Sequence, residues 1–500
     1  MTVTLTGQDL DRGELVRVAR AREPVSLGAD ARERMLATRA VVRRSVDRGL
    51  AVYGTTTGVG VLKRVDIAAA DAGSYSSWML GHHLVGQGPA APEDVVRATI
   101  VRLANHFAEG SPGVRPELAE RLIAALNGGR IPAVHAIGSV GSADLAPLAE
   151  IAAALFADLP LEPGEGTALL DNNAFATGWA ALAVADSATL LDTMDVAGAV
   201  SLDGFAANPS MLHPRIGEVR PHPGLRTSLD RLRSLLEGSA IHEPGVARSL
   251  QDPLSFRNLP QIQGACRDVL AHVDGVLAIE LNANQGNPIV VPNEDRLVSV
   301  ANFEILPLAA ALDYLRVVLA SALTSATERI VKSMYPAWTG LPTGLTPESD
   351  TTEAGLTYLS LAAQSLAVEA RLLAQPVSFE LASTAHAEGI EDRTSMAPLA
   401  ARRLAEMVEL GATIVAIELA VATQALEIRG HRPGRGTGRA LAAVRAHVPF
   451  LRMGDHVPDL SSLVGVIRNG ALSNEVLAGS PASRSAAAAP SRGIGHDDRA

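Results

Sequence analysis

Apolar residues recur every three or four positions over long stretches of the second half of the chain. Leu308, Leu312, Leu315, Leu319 and Leu323 are separated by steps of four, three, four and four. Leu356, Leu359, Ala363, Leu366, Ala370 and Leu373 alternate steps of three and four, as do Met407, Leu410, Ile414, Ile417 and Val421. Such a stripe lies on one face of an α-helix. Seams this narrow and long predict helices packed side by side at shallow angles. Core packing explains the spacing, so the stripes need no cofactor to account for them.

The first half is more broken. Val3-Thr4-Leu5 reads as a short β stretch, and Asp30 precedes Met35, Val41 and Val42 among arginines, the pattern of a solvated helix face. A glycine-punctuated loop runs from Tyr53 to Gly60. Helices are predicted over 69–84, 92–108 and 116–126, with Gly110-Ser111-Pro112-Gly113 as a break. Then comes Gly138-Ser139-Val140-Gly141-Ser142-Ala143-Asp144-Leu145-Ala146-Pro147-Leu148. This is a tight turn of small residues leading into a helix, with Asp144 placed to cap it and Pro147 in its first turn. The predicted organisation is an N-terminal segment over 1–200, a helix bundle over 201–475 and a tail over 476–500. The Ser, Ala, Gly, Pro and charge of Gly479–Ala500 read as disordered.

Composition narrows the class. The chain has 500 residues, 47% hydrophobic but only 3% aromatic. A core of Ala, Leu, Val and Ile suits helix-on-helix packing, so the expected fold class is mainly α. A formal net charge of −11 argues against nucleic-acid binding. The single cysteine, Cys266, excludes internal disulfides and a zinc–thiolate cluster. No Gly-Lys-Ser/Thr phosphate loop is present, and the thirteen histidines show no metal-ligand spacing. Lys63 and Lys332 are the only lysines available to a Schiff-base cofactor. No signal peptide or run of about 18 uninterrupted apolar residues is apparent, so the expectation is a cytoplasmic protein without membrane, metal or nucleotide.

The segment Gly138–Leu148 resembles Gly-Ser-Val-Gly-Ala-Ser-Gly-Asp-Leu-Ala-Pro-Leu, the signature of the histidine and aromatic amino-acid ammonia-lyases. The resemblance runs from about Tyr53 to Arg429. In that family an internal Ala-Ser-Gly cyclises and loses water to give a methylidene-imidazolone, an electrophile built from the backbone. Here the loop is one residue shorter, and Gly141-Ser142-Ala143 stands in its place. Ser142 then matches the dehydrating serine and Ala143 the cyclising glycine.

Other motifs carry the resemblance further. Tyr53-Gly54-Thr55-Thr56-Thr57-Gly58-Val59-Gly60 is similar to Tyr-Gly-x-x-Thr-Gly-x-Gly, whose tyrosine is the base. A phenol serves as a base only if nearby positive charge or donors lower its pKa. Gln251-Asp252-Pro253-Leu254-Ser255-Phe256-Arg257 resembles Gln-Asp-x-Tyr-Ser-x-Arg, so Arg257 is the implied carboxylate clamp, with Leu254 replacing the family's tyrosine. Leu169-Leu170-Asp171-Asn172-Asn173 stands where the family has Asn-Gly-Thr. Either Asp171 replaces that amide or Asn172 takes its place. A carboxylate there would repel developing negative charge. Glu391 matches the acidic residue of Gln-Glu-Asp-His-Val-Ser-Met, and Asn302-Phe303-Glu304 resembles Gly-Asn-Phe-His. His83-Leu84 resembles the ring-selecting pair of tyrosine-preferring members. Gly286 replaces an aspartate in Glu-Leu-Asn…Asp-Asn-Pro.

The resemblance implies a homotetramer with active sites shared between subunits, acting on a small-molecule substrate. Three readings follow. The first is elimination of ammonia from an aromatic L-amino acid, or migration of its amine. The second is a homologue without the electrophile, running another elimination, isomerisation or cyclisation with Tyr53 and Asp171. The third is a binding protein without catalysis.

Overall fold

The computed structural model describes residues 2–68, 70–349, 351–379 and 389–478. The expected tail over 479–500 lies outside them. Among the described residues the chain is mainly helical, with three two-stranded sheets. Two compact units emerge, each assembled from separate stretches of chain. The first comprises Met1–Asp186, Val269–Val317 and Leu373–Met407. The second comprises Ser187–Asp268, Val318–Leu372 and Val408–Ala500. The borders at 186, 268, 317 and 407 fall inside the long helices Ala174–Phe205, Leu259–Glu280, Leu306–Ser333 and Ala397–Arg429. A linear cut at residue 200 likewise falls within a helix.

The leucine seam predicted from 308 to 323 is fully buried at all five positions. Met407, Ile414, Ile417 and Val421 are buried as well. The stretch Glu165–Phe205 and the helix Leu306–Ser333 are long and apolar enough to cross a membrane, but 78% and 61% of their most apolar windows are buried inside the protein. They are core helices.

In the first unit the helix Glu93–Glu109 is buried without a break from Val95 to Ala108, so its polar residues must find partners inside. The Arg102 guanidinium donates to the carbonyls of Glu280 (2.9 Å) and Ala283 (2.6 Å), and Asn105 donates to the Leu281 carbonyl. These bonds satisfy the carbonyls that end the helix Leu259–Glu280, where a cation is also favoured by the helix dipole. Val3–Leu5 is a strand, paired in parallel with Val25–Leu27. The helix Ala29–Asp47 differs from its solvated expectation at Arg39, which is buried and reaches Glu162 and the carbonyls of Gly113 and Pro163. Asp30 sits inside this helix rather than before it.

The second unit is pinned by buried charge. Arg329 and Glu418, each 1% exposed, form a two-pronged pair at 2.6 and 3.0 Å, and Ser201 donates to the same carboxylate. Asp203 accepts from Ser239, Thr437, the Gly434 amide and His431. Burial disfavours its charge, but these donors outweigh burial and hold the carboxyl below its usual range. Removing one partner of the buried pair strands the other. Glu418→Ala is expected to destabilise by about 3–5 kcal/mol, and Arg329→Met with Glu418→Leu by far less. Thermal denaturation of the three proteins checks the order.

Candidate active site

The Gly138–Leu148 turn is held from four sides within the first unit. Gly141 has φ +83° and Ala143 φ +62°, and the two residues face each other across a one-residue β-bridge. A side chain at Gly141 has no room, since a Cβ would meet Ser395 Oγ at 2.2 Å and the Met396 nitrogen at 3.0 Å. The Gly141 carbonyl accepts from Ser395 Oγ at 2.9 Å and Asn173 Nδ2 at 3.3 Å. The Met396 amide donates to the Val140 carbonyl, and Ser142 bridges to Glu304 beside Phe303. The Ser142 hydroxyl donates to the Arg393 carbonyl.

Asp144 occupies the cap position of the helix Leu145–Phe156, but its side chain makes no capping bond. Its carboxylate instead accepts from Ser139 Oγ and the Ala176 amide, each at 2.7 Å, fastening the turn to the helix Ala174–Phe205. Burial pushes this carboxyl up to about 6 against those donors.

Asn172 does not take over for Asp171. Its Oδ1 accepts from the Ala174 amide and its Nδ2 donates to the Ala168 carbonyl, so its side chain is committed to adjoining helix ends. The amide that reaches the turn is Asn173, one residue further on. The adjacent asparagines were the available signal, but their order of use is set by the bend between Leu170 and Ala174. Ser395 was likewise present in the quoted motif without a role.

Tyr53, Asp171 and Glu391 come within electrostatic reach of one another. Burial and then the Glu391 charge push the Asp171 carboxyl up to about 8, opposed by a hydrogen bond from Asn287. At neutral pH Asp171 is therefore a carboxylic acid, not the repulsive carboxylate its sequence position suggests. Tyr53 departs from expectation in the opposite sense. Its oxygen accepts from the Gly60 amide at 3.0 Å, yet burial outweighs that donor, and Asp171 and Glu391 add to the rise, so its pKa lies above the ordinary phenol value. No lowering of the Tyr53 pKa arises within one protomer. The Tyr53 loop is tied down by Thr167, whose hydroxyl donates to the Gly54 carbonyl at 2.6 Å.

His83 ends the helix Ala72–His82, which packs against the helix leading to Asp171. Its Nδ1 is 2.7 Å from the Met79 carbonyl, and Leu84 is exposed. Gln251, Leu254 and Arg257 belong to the second unit. Leu254 is 61% exposed, Gln251 is exposed, and Arg257 Nε donates to the Asp252 carbonyl at 2.7 Å. Among the described residues no cluster of three or more His, Cys, Asp or Glu is placed to hold a metal.

An alanine held at φ +62° costs about 1–2 kcal/mol relative to glycine. Ala143→Gly is therefore expected to leave the thermal midpoint unchanged or raised, despite the flexibility glycine adds to the unfolded chain. A fall of several degrees would contradict a strained Ala143.

The chain is similar to known proteins over most of its length. The family pattern described as aromatic amino acid lyase matches residues 10–159 and 156–446. The chain is 35% identical over 494 residues to histidine ammonia-lyase of Symbiobacterium thermophilum, covering 93% of this chain and 96% of that one. Identity to histidine ammonia-lyase of Deinococcus radiodurans is 33%, over 93% of each chain. Among solved structures, the ergothioneine-degrading ergothionase of Treponema denticola superposes with a TM-score of 0.88 at 26% identity, covering 95% of this chain and all of that one. Tyrosine aminomutase of Streptomyces globisporus gives 0.87 at 26% identity, covering 96% and 98%. The chain belongs to the aromatic amino acid lyase family and is a carbon–nitrogen lyase of the ammonia-lyase type.

Proposed function

We propose that this enzyme eliminates ammonia from an L-amino acid with an aromatic ring, and that histidine is the leading substrate. The observation that carries this is the meeting of Tyr53, Asp171 and Glu391 with the two chain segments that grip the Gly141 carbonyl. The choice of histidine over tyrosine rests on the relatives named above.

The residues of the turn fit a methylidene-imidazolone made from Gly141-Ser142-Ala143. Two donors polarise the Gly141 carbonyl that the Ala143 nitrogen must attack, and both flanking residues already have positive φ. When formed, that group supplies an electrophile for the substrate amine. The chain's own groups do the rest. Tyr53 takes the β-proton, and Asp171, as a neutral acid, donates a hydrogen bond where the family uses an amide. Glu391 holds the ammonium group. Arg257 clamps the carboxylate with Gln251 and Leu254 beside it, while His83, Leu84 and Phe303 shape the ring pocket; Asn172, buried and bonded to helix ends, holds the bend behind it.

A base needs a phenol lowered by positive charge, which one protomer does not supply. Arg257 of another copy in a homotetramer supplies it, so the sites are shared. Apolar residues left exposed support assembly: Leu361, Val368 and Leu372 on one helix face, Tyr314 and Val317 on the helix Leu306–Ser333. A soluble tetramer with this chemistry is assigned to the cytoplasm. The electrophile-free reading keeps as support the shortened loop with Ala143 at the cyclising position and Leu254 in place of the family's tyrosine.

Ammonia release from histidine, followed by the absorbance of the unsaturated product, tests the reading. Activity is expected to fall as pH rises through about 8, where Asp171 loses its proton. Asp171→Asn is expected to retain activity and abolish that fall, whereas Ser142→Ala is expected to lose activity by orders of magnitude. Full activity in Ser142→Ala would overturn the proposal in favour of the electrophile-free one.

A further inference from the structure

His106 is fully buried in the helix Glu93–Glu109, and neither ring nitrogen has a partner. The Ala283 carbonyl favours the protonated ring but lies outside hydrogen-bond geometry and already accepts from Arg102. Burial and then the Arg102 charge hold the imidazole far below the ordinary histidine range, so the ring is neutral. Buried polar atoms without partners are rare and call for a cause.

The ring faces a cavity of about 20 Å³, lined also by Thr55, Gly286, Asn287 and Arg39. That volume holds one water-sized molecule. Gly286 is what leaves the space open. A Cβ there would lie 3.2 Å from Asn284 Oδ1, 3.3 Å from the Asp171 carbonyl oxygen and 3.5 Å from His106 Nε2. His106 and Gly286 both line the cavity, and a neutral imidazole carries one lone pair with which to accept a hydrogen bond there. Arg39 on the wall and Arg102 beside the ring disfavour a cation.

We propose that the space between Gly286 and His106 is a binding site for one small uncharged hydrogen-bond donor, held by the acceptor nitrogen of the neutral His106 ring. Ammonia and water are both small enough for the space and carry such a donor. Ammonia as the occupant rests on the lyase reading. The existence of the site does not. The site abuts the backbone of Asp171, whose side chain is bonded by Asn287, so product ammonia would be held one residue from the reacting groups.

Thermal midpoints of the assembled protein test this without any turnover. Gly286→Ala is expected to lower the midpoint, because the methyl displaces the donor and leaves His106 unpartnered. Gly286→Ser is expected to recover most of the loss, because its hydroxyl reaches the His106 ring in place of the donor. An alanine variant as stable as the parent, or a serine variant no better than alanine, overturns the site. At a pH where ammonium is partly ammonia, ammonium chloride is expected to raise the parent's midpoint above that in potassium chloride, and not that of Gly286→Ser. Equal midpoints in the two salts overturn ammonia as occupant and leave water. Because these readouts are independent of catalysis, loss of the lyase reading would not move them.

Discussion

The Gly141 carbonyl, gripped by Ser395 Oγ and Asn173 Nδ2, is the contact on which the site depends. It joins three stretches far apart in sequence: the signature turn, the bend after Leu170 and the segment before the helix Ala397–Arg429. The Met396 amide on Val140 and the Asp144 carboxylate on Ser139 and Ala176 lock the same junction from outside. A turn fixed this way can hold an alanine at a left-handed angle that it would avoid in a free loop. The same packing explains why Gly141 has no room for a side chain, as Ser395 occupies the place where one would go.

Electrostatics at the site follow from burial. Tyr53 and Asp171 are both desolvated, and the nearby Glu391 charge further disfavours the ionised form of each. At neutral pH both therefore hold their protons. A carboxylic acid and a carboxamide are close in shape, and a neutral Asp171 has one O–H to donate where an amide has two N–H groups. What reads along the chain as a hostile substitution is neutralised by its surroundings. The cost is sensitivity to alkaline conditions that an amide would not have.

The helix seams were legible because burial imposes the same period on sequence and structure, as at Leu308 to Leu323. The Gly138–Leu148 turn was legible as a tight turn from its small residues. Much else was not. Strands of three residues, such as Ile289–Val291 and Arg296–Val298, are too short to show alternation. Asp144 looks like a cap because caps are local, whereas its partners Ser139 and Ala176 are set by the tertiary fold. Asn172 and Asn173 are chemically identical, and only the path of the backbone decides which reaches Gly141. The neutrality of Asp171 and the rise in the Tyr53 pKa depend on how many neighbours exclude water. The interleaving of the two units was hidden because their borders fall inside uninterrupted helices.

The central claim is that the clamped turn brings the Ala143 nitrogen onto the Gly141 carbonyl despite the missing glycine. Peptide mapping of the purified protein by mass spectrometry measures this directly. The peptide spanning residues 141–143 is expected to weigh less than its sequence requires by the water lost in ring closure and dehydration. A peptide at its full sequence mass would contradict the account, leaving the fold intact and removing the electrophile from the reaction.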